Sequence, residues 1–382
     1  MRKRYLALSP YNLVRIILGD RRDSDGEADN VYTRASSYFQ DWIAKQVLVK
    51  DDSPAFYVYF QEFTVPDSGG RLTRKGFIGL GAVEDYSANI VHRHEQTLSG
   101  PKKDRMEVLK HTCAHFGQIF MLYPDPERAI DKILDEVAQG KPDINVSDEY
   151  GATHRIWRVA DPPRIGRIQQ LMSDKKLLIA DGHHRYETAL AFRTANPNLH
   201  DAAKVMMTFV NMYSDGLKIL ATHRVLRNLE GFEFGSFLEA ARGAFDVREF
   251  ASAAGLRDAL DRIEEGRVRI GVAPNAGGFF LLETPREPDA IDVRILHDVI
   301  LGQMLGISEE AVRDERHISY VRGFDQAIAA VRDGDAQIAF LLQPTPIQQV
   351  ADVAFSGGVM PQKSTDFYPK LLSGLTVYKL ER

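Results

Sequence analysis

The sequence predicts a mixed α/β chain, with elements of α+β character, laid down as two successive units. Three observations lead there. Apolar strand-like runs alternate with amphipathic helical stretches over 118–213, the alternation resumes over 234–342, and 382 residues leave room for two or three domains. The division is placed near residue 215, giving an N-terminal domain over 1–215 and a C-terminal α/β domain over 216–382. The hydrophobic share of 44% and charged share of 26% are those of an ordinary globular chain.

The first helix is expected over 11–18, followed by a polar stretch over 19–30 with little to bury, read as a flexible loop. Phe39, Trp42, Ile43 and Val47 recur at helical spacing and predict a helix over 31–49. Phe56, Val58 and Phe60 alternate with Tyr57, Tyr59 and Gln61, so 55–64 reads as a strand. A second strand over 75–83 follows a turn carrying Pro66, Gly69 and Gly70, which makes the pair a hairpin. Pro101 suits the first turn of a helix over 101–116 whose apolar stripe is Met106, Leu109 and Cys113. Then come strand 118–123, helix 126–139, strand 153–159, helix 162–172, strand 176–180 and strand 205–213. The second unit reads as helices 234–245 and 251–265, strands 267–273 and 278–283, helices 290–305 and 323–333, and strand 336–342. No internal repeat or low-complexity tract interrupts them.

Composition excludes several classes of function. With 48 basic and 53 acidic side chains the net charge is −5, which argues against a nucleic-acid partner. The basic start is broken by Pro10, Asn12 and Arg15 before an apolar core can form, so it is not a signal peptide, and no run of about 18 apolar residues suggests a membrane span. A single cysteine, Cys113, leaves no intramolecular disulfide or multi-cysteine zinc cluster and fits a reducing, cytoplasmic setting.

Seven of the eleven histidines fall within 92–184, where uniform scattering would put roughly three, so that window is searched first. There an apolar run, Leu177-Leu178-Ile179-Ala180, feeds Asp181-Gly182-His183-His184-Arg185 and then a helical pattern with Ala189, Leu190 and Phe192. A turn at a helix N-terminus offers unpaired backbone N–H groups and the positive end of the dipole to an anion. Gly182 permits close approach of a phosphate, Arg185 can grip it with a planar fork, and His183 and His184 add donors when protonated. The plainer alternative has Asp181 capping the helix, Gly182 making the turn, and Arg185 pairing with Glu187 or another acid.

The second cluster is His92-Arg93-His94-Glu95-Gln96-Thr97 followed by Pro101-Lys102-Lys103-Asp104-Arg105. Glu95, beside His94 and close in sequence to two lysines, could act as a general base or hold a divalent metal; a solvated charged loop is the alternative. His111 and His115, spaced i and i+4, would suit zinc on one helix face, but no Glu completes an H-E-x-x-H pattern, so no metal site is assigned. Late in the chain, Gly357-Gly358 precede Lys363-Ser364-Thr365, an anion-contacting composition without Walker A spacing.

With these segments laid out, the sequence resembles the domain-of-unknown-function 1015 family over nearly its whole length. The landmarks are Pro10-Tyr11-Asn12-Leu13-Val14-Arg15, His94-Glu95-Gln96-Thr97 with Pro101-Lys102-Lys103-Asp104-Arg105, the stretch from Ile179 to Leu190, and Met360-Pro361-Gln362-Lys363-Ser364-Thr365 with Phe367-Tyr368-Pro369-Lys370. More distantly it is similar to free serine kinases of the ParB/sulfiredoxin-like nucleotide-binding fold, in a His-Glu-Gln segment, an Asp-Gly-His-His-Arg segment and a late Pro-Lys-[Ser/Thr]-Thr-type segment. The resemblance implies a ParB/sulfiredoxin-like core with inserted elements. It makes Glu95 the base, Gly182, His183, His184 and Arg185 the phosphate cradle, and Asp181 the residue that orients the acceptor hydroxyl or Mg²⁺. Lys363, Ser364 and Thr365 would fold back onto the phosphates, with His94, Thr97, Lys102 and Arg105 in support. The family also carries an Ala-Pro-Pro-Tyr-Asp stretch ahead of its Pro-Tyr-Asn landmark, so the 382 residues are expected to be short of the full protein at the N-terminus.

The expectation is therefore a phosphotransferase that uses ATP or ADP with Mg²⁺ on a small hydroxyl-bearing metabolite, serine by analogy. Two alternatives stand beside it: a non-catalytic nucleotide-binding regulator of ParB-like type, and a metallohydrolase using His92, His94, His183 and His184. Neither nucleic acid nor membrane is an expected partner, and the oligomeric state is left open.

Overall fold

The computed structural model describes residues 2–66, 68–95, 100–262, 264, 266–287 and 290–381. In chain order the strands are β1 (Phe56–Thr64), β2 (Arg71–Ala82), β3 (Val91–His92), β4 (Ala114–His115), β5 (Ile119–Tyr123), β6 (Ile144–Ser147), β7 (Thr153–Val159), β8 (Leu177–Asp181) and β9 (Lys204–Asn211). They continue as β10 (Lys218–Leu220), β11 (Thr222–Leu226), β12 (Asp246–Phe250), β13 (Arg267–Pro274), β14 (Phe279–Pro285), β15 (Ile318–Arg322), β16 (Ile338–Leu341), β17 (Asp366–Tyr368) and β18 (Tyr378–Lys379). Among the described residues, eight form one sheet in the order β3-β8-β5-β9-β2-β1-β7-β6, and six form a second, β12-β14-β13-β16-β11-β15. The first sheet is mixed, parallel at β3/β8 and β5/β9; the second is antiparallel throughout. The fold class is thus mixed α/β, as the alternation of strands and helices predicts.

Period-two alternation decides which core each strand feeds. Leu178 and Ala180 of β8, with Phe120 and Leu122 of β5, face the second sheet and pack in one cluster with Val268, Ile270 and Phe340. Ile179, Ile119 and Met121 face the other way, against Ile130, Leu134, Ile168 and Ala189 of the covering helices. One continuous apolar core therefore joins the two sheets. The C-terminal segment returns to earlier parts of the chain: β17 pairs with β10, just past its midpoint, and β18 with β4 in its first half.

Several elements match their expected bounds. The strand Thr153–Val159 and the helix Pro162–Met172 coincide with the reading, the latter started by Asp161, which accepts from the Arg164 N–H. The hairpin of β1 and β2 forms as the alternation predicts. Others end early where the backbone turns left-handed. The helix Val31–Ala44 stops short of 49, with Gln46 at φ 56, and the helix Gly100–Thr112 stops short of 116, with Cys113 at φ 47. That second break carries the chain straight into β4. The polar stretch 19–30 is tied down, since Arg34 Nη1 meets Asp25 at 2.7 Å and Asp29 at 2.9 Å and Arg34 Nη2 donates to the Asp20 carbonyl. No helix among the described residues is long and apolar enough to cross a membrane.

Candidate functional site

Strand β8 is a buried run ending at the half-exposed Asp181, and the helix His183–Ala195 begins immediately after it. Gly182 sits between them at φ 98, ψ 22, a left-handed conformation that a side chain would strain. A Cβ there would also come within 2.9–3.2 Å of the Arg185 guanidinium, which folds back over the turn. Gly182 is the N-cap and no side chain caps the helix, so Asp181 does not act as the cap. Instead its Oδ2 lies 3.6 Å from Arg185 Nη2. Burial would raise the Asp181 pKa, but Arg185, Lys370, the Gly182 amide and Lys363 outweigh it and hold the carboxyl below its usual value.

The parallel pairing of β3 with β8 explains how Glu95 arrives here. Val91 pairs with Leu177 and His92 with Leu178, an offset of 177 − 91 = 86. β3 ends at His92, and two residues further on His94 Nδ1 meets the Ile179 carbonyl while Glu95 is close enough to Asp181 for that carboxylate to raise its pKa. On its other flank Glu95 pairs with Met360 in an isolated parallel bridge, and the Met360 N–H donates to the His94 carbonyl at 2.7 Å. Glu95 therefore lies between the end of β8 and the returning tail. Burial pushes its carboxyl up to about 7; Lys363 opposes the rise, Asp181 adds to it, and Lys370 and a bond from the Thr365 N–H also oppose it. Its Oε1 is buried and has no hydrogen-bond partner among the described residues.

His94 is fully buried and locked. Its Nδ1 is 2.9 Å from the Ile179 carbonyl and its Nε2 is 2.8 Å from Thr365 Oγ1. A carbonyl can only accept, so Nδ1 carries the proton. Burial lowers the ring's pKa to about 4, which leaves Nε2 bare to accept from the threonine hydroxyl. His183 packs edge-on against it at 4.8 Å, is likewise buried, and leaves Nε2 without a partner among the described residues. Burial, then its histidine and arginine neighbours, drive the His183 pKa well down. It is a neutral ring here, not the protonated donor expected from sequence.

The tail closes the site. Lys363 takes a left-handed φ of 59, Ser364 is buried with Oγ donating to the Pro361 carbonyl at 2.5 Å, and Thr365 reaches His94 as described. Two buried arginines hold this segment by its backbone. Arg224, on β11, donates through Nη2 to the carbonyls of Gln362 (3.3 Å) and Lys363 (3.1 Å). Arg74, on β2, donates to the Pro369 carbonyl at 2.5 Å and to Gln61 Oε1 at 3.0 Å, while Gln61 Nε2 donates to the Lys370 carbonyl at 3.1 Å. Burial lowers both guanidinium groups to about 10, still cationic at neutral pH.

The supporting residues separate. Arg105, half-buried on the helix Gly100–Thr112, is close enough to Arg185 and Asp181 to feel both charges, and its Nη1 has no partner among the described residues. Lys102 is committed to an ion pair with Glu187, which Arg93 also approaches at 3.4 Å, so Lys102 braces the helix His183–Ala195. Thr97 lies outside the described residues, as does Gln96. His92 is spent on structure, its ring nitrogens 3.2 and 3.1 Å from the carbonyls of Ala354 and Asn89. His111 and His115 do not share a helix, because His115 belongs to β4. Sequence reading missed Arg74, Arg224 and Lys370. A basic residue at an inward position of an otherwise apolar strand was the available signal for Arg74 and Arg224.

Together these groups set a carboxyl whose pKa is raised and whose Oε1 has no hydrogen-bond partner among the described residues near an ionised one, with Arg185, Arg105, Lys363 and Lys370 close by at a helix N-terminus. Such a set can receive a proton at Glu95 and neutralise a polyanion.

No curated protein matches the chain. Among solved structures it is similar to a free serine kinase variant in complex with ADP (12% identity, 76% of this chain and 87% of that one, TM-score 0.42). It is also similar to a conserved hypothetical protein from Pyrococcus furiosus (12%, 76% and 90%, 0.39) and to C-terminally truncated SbnI from Staphylococcus aureus (11%, 77% and 85%, 0.36). At such scores the likeness leaves function to be argued from the chain's own residues. A family profile described as a protein of unknown function, DUF1015, matches residues 1–302, which takes in Glu95 and the Gly182 turn and leaves the tail outside. The chain belongs to the DUF1015 family.

Proposed function

We propose that the protein is a phosphotransferase that moves a phosphoryl group from ATP or ADP to the hydroxyl of a small metabolite, serine by analogy. The observation that carries this reading is the pairing of Glu95, whose Oε1 is buried and without a hydrogen-bond partner among the described residues, with the cationic Gly182 turn near it. Phosphoryl transfer asks a protein mainly for positioning and charge neutralisation. Glu95 accepts the proton of the acceptor hydroxyl as that oxygen bonds to phosphorus. The bond from phosphorus to the bridging oxygen breaks, and its electron pair leaves with ADP or AMP. The first-turn amides after Gly182, with Arg185 and Arg105, hold the donor phosphates; Lys363 supplies charge from the tail. Asp181, kept ionised and partly exposed, is the residue that would hold a Mg²⁺ ion, which would supply charge neutralisation to the donor. A cytoplasmic setting and a small-molecule partner, neither nucleic acid nor membrane, belong to the same proposal.

A metallohydrolase built on the histidines fits poorly, because His92 and His94 already spend both ring nitrogens on protein groups. The test is to incubate the protein with ATP or ADP, Mg²⁺ and serine and follow phosphoserine by phosphorus NMR. Transfer that disappears in Glu95→Gln supports the reading. Nucleotide binding with no transfer to serine or other small alcohols would favour the non-catalytic regulator instead.

A further inference from the structure

On β11 and β15 of the second sheet, Arg224 and Tyr320 are direct cross-strand partners, and the guanidinium carbon lies 5.3 Å from the tyrosine ring centroid. Three of Arg224's five N–H groups are taken by carbonyls, those of Thr222, Gln362 and Lys363. Its Nε is buried and without a partner among the described residues; the Tyr320 hydroxyl is in the same position. Both groups feel the charge of Glu95, whose Oε1 is the third buried polar atom left over. A fourth is Nε2 of His297, near enough to Arg224 for its charge to act on the ring. His297 also lines an open cavity of about 570 Å³ with Arg294, Met360, Pro361 and Gln362, and the carbonyl of that Gln362 is one that Arg224 holds.

Buried polar atoms seldom go unpaired, because an unpaired one has lost its water without gaining a replacement bond. Here two donors, Arg224 N–H and Tyr320 O–H, are near enough to one acceptor, Glu95, to feel its charge. An oxygen anion satisfies the donors and a hydroxyl satisfies the acceptor, so one molecule carrying both groups answers all three. We propose that Arg224 and Tyr320 make the second sheet the acceptor-reading wall of the site, binding the carboxylate of a small hydroxy acid whose hydroxyl meets Glu95. Burial raises the Tyr320 pKa, so the phenol keeps its proton and donates at neutral pH. The placement of the hydroxyl at Glu95 rests on the phosphotransfer reading; the carboxylate subsite does not.

The experiment measures binding without catalysis, by calorimetry on the full chain in the absence of nucleotide. The probes are 3-hydroxypropionate, propionate, which lacks the hydroxyl, and 1,3-propanediol, which lacks the carboxylate. Wild type is expected to bind 3-hydroxypropionate at least tenfold more tightly than propanediol, and Tyr320→Phe, which keeps the ring and its packing, is expected to erase most of that preference. Arg224→Lys, checked for a native melting profile, should do the same because lysine keeps the charge but not the Nε donor. Equal binding of the diol, no binding of 3-hydroxypropionate, or an undiminished preference in Tyr320→Phe would overturn the proposal. If the preference is present and no phosphoryl transfer is ever seen, the subsite stands and the phosphotransfer reading falls.

Discussion

At one end of the site, five consecutive residues from Asp181 to Arg185 supply a carboxylate, a left-handed glycine, two imidazoles and a guanidinium. At the other end, Lys363, Thr365 and Lys370 reach the same carboxyl only because Arg74 and Arg224, from two different sheets, hold the intervening backbone by its carbonyls. The turn end is local and made by the exit from β8. The tail end is long-range and made by buried cations that contact main chain. Local construction makes the turn robust to changes elsewhere, whereas the tail depends on the continuous core beneath both sheets.

The contrast can be broken most severely at the shared point. Glu95→Gln is expected to lower the rate of phosphoryl transfer by about a thousandfold, the scale of a lost general base, in a single-turnover assay with saturating nucleotide. Because its carboxyl sits at about 7, wild-type turnover should climb with pH to about 7 and then level off. Stability has the opposite sign. A folded-state pKa raised above the ordinary carboxylate value means the folded form holds the extra proton between about 4.5 and 7, so this group's contribution falls as pH rises through that window. Glu95→Gln should therefore be more stable than wild type above pH 7, by about 1–3 kcal/mol in urea titrations. A flat difference across pH 5–8 would place the carboxyl in a more solvated setting.

Next in size is Arg74→Met, which strands the carbonyl oxygens of Gln61 and Pro369 and should cost about 3 kcal/mol in urea unfolding. No loss would mean that the tail is not anchored by that guanidinium. Gly182→Ala tests the local end: a side chain at φ 98 against Arg185 should cost about 1–2 kcal/mol and weaken nucleotide binding roughly tenfold by isothermal titration. If Gly182→Ala instead destabilised the chain more than Arg74→Met, the ranking of local over long-range construction would be reversed. The smallest change is Thr365→Val, which removes one hydrogen bond to His94 and should cost about 1 kcal/mol while leaving nucleotide affinity unchanged.

The same contrast explains what was legible in sequence. The run Leu177 to Leu190 announces itself as strand, turn and helix, and the structure forms the strand Leu177–Asp181, the Gly182 turn and the helix His183–Ala195 in that order. Glu95 was found from its chemistry, and β3 pairing puts it where that chemistry is useful. Edge and second-sheet strands were harder. Asp246–Phe250 is largely exposed and highly charged, and Ile144–Ser147 is mostly exposed, so neither carries an apolar period to detect. Arg74 and Arg224 were harder for a different reason: apart from Gln61, the groups they hold are backbone carbonyls, so only their own inward position on a strand marks them. Lys370 lay within a quoted landmark, but only the Arg74 and Gln61 contacts to 369–370 reveal what it faces.

The return of the tail also has a meaning for a chain still on the ribosome. Lys363 follows Glu95 by 363 − 95 = 268 residues, so at cellular synthesis rates the carboxyl and the turn are translated on the order of 10–50 s before the lysines that complete their surroundings. During that interval the nascent chain holds a base and an anion cradle with one wall absent. Synthesis of the tail, with the pairing of β17 and β18, then becomes the event that completes the surroundings of Glu95, and on the phosphotransfer reading a chain without it is silent.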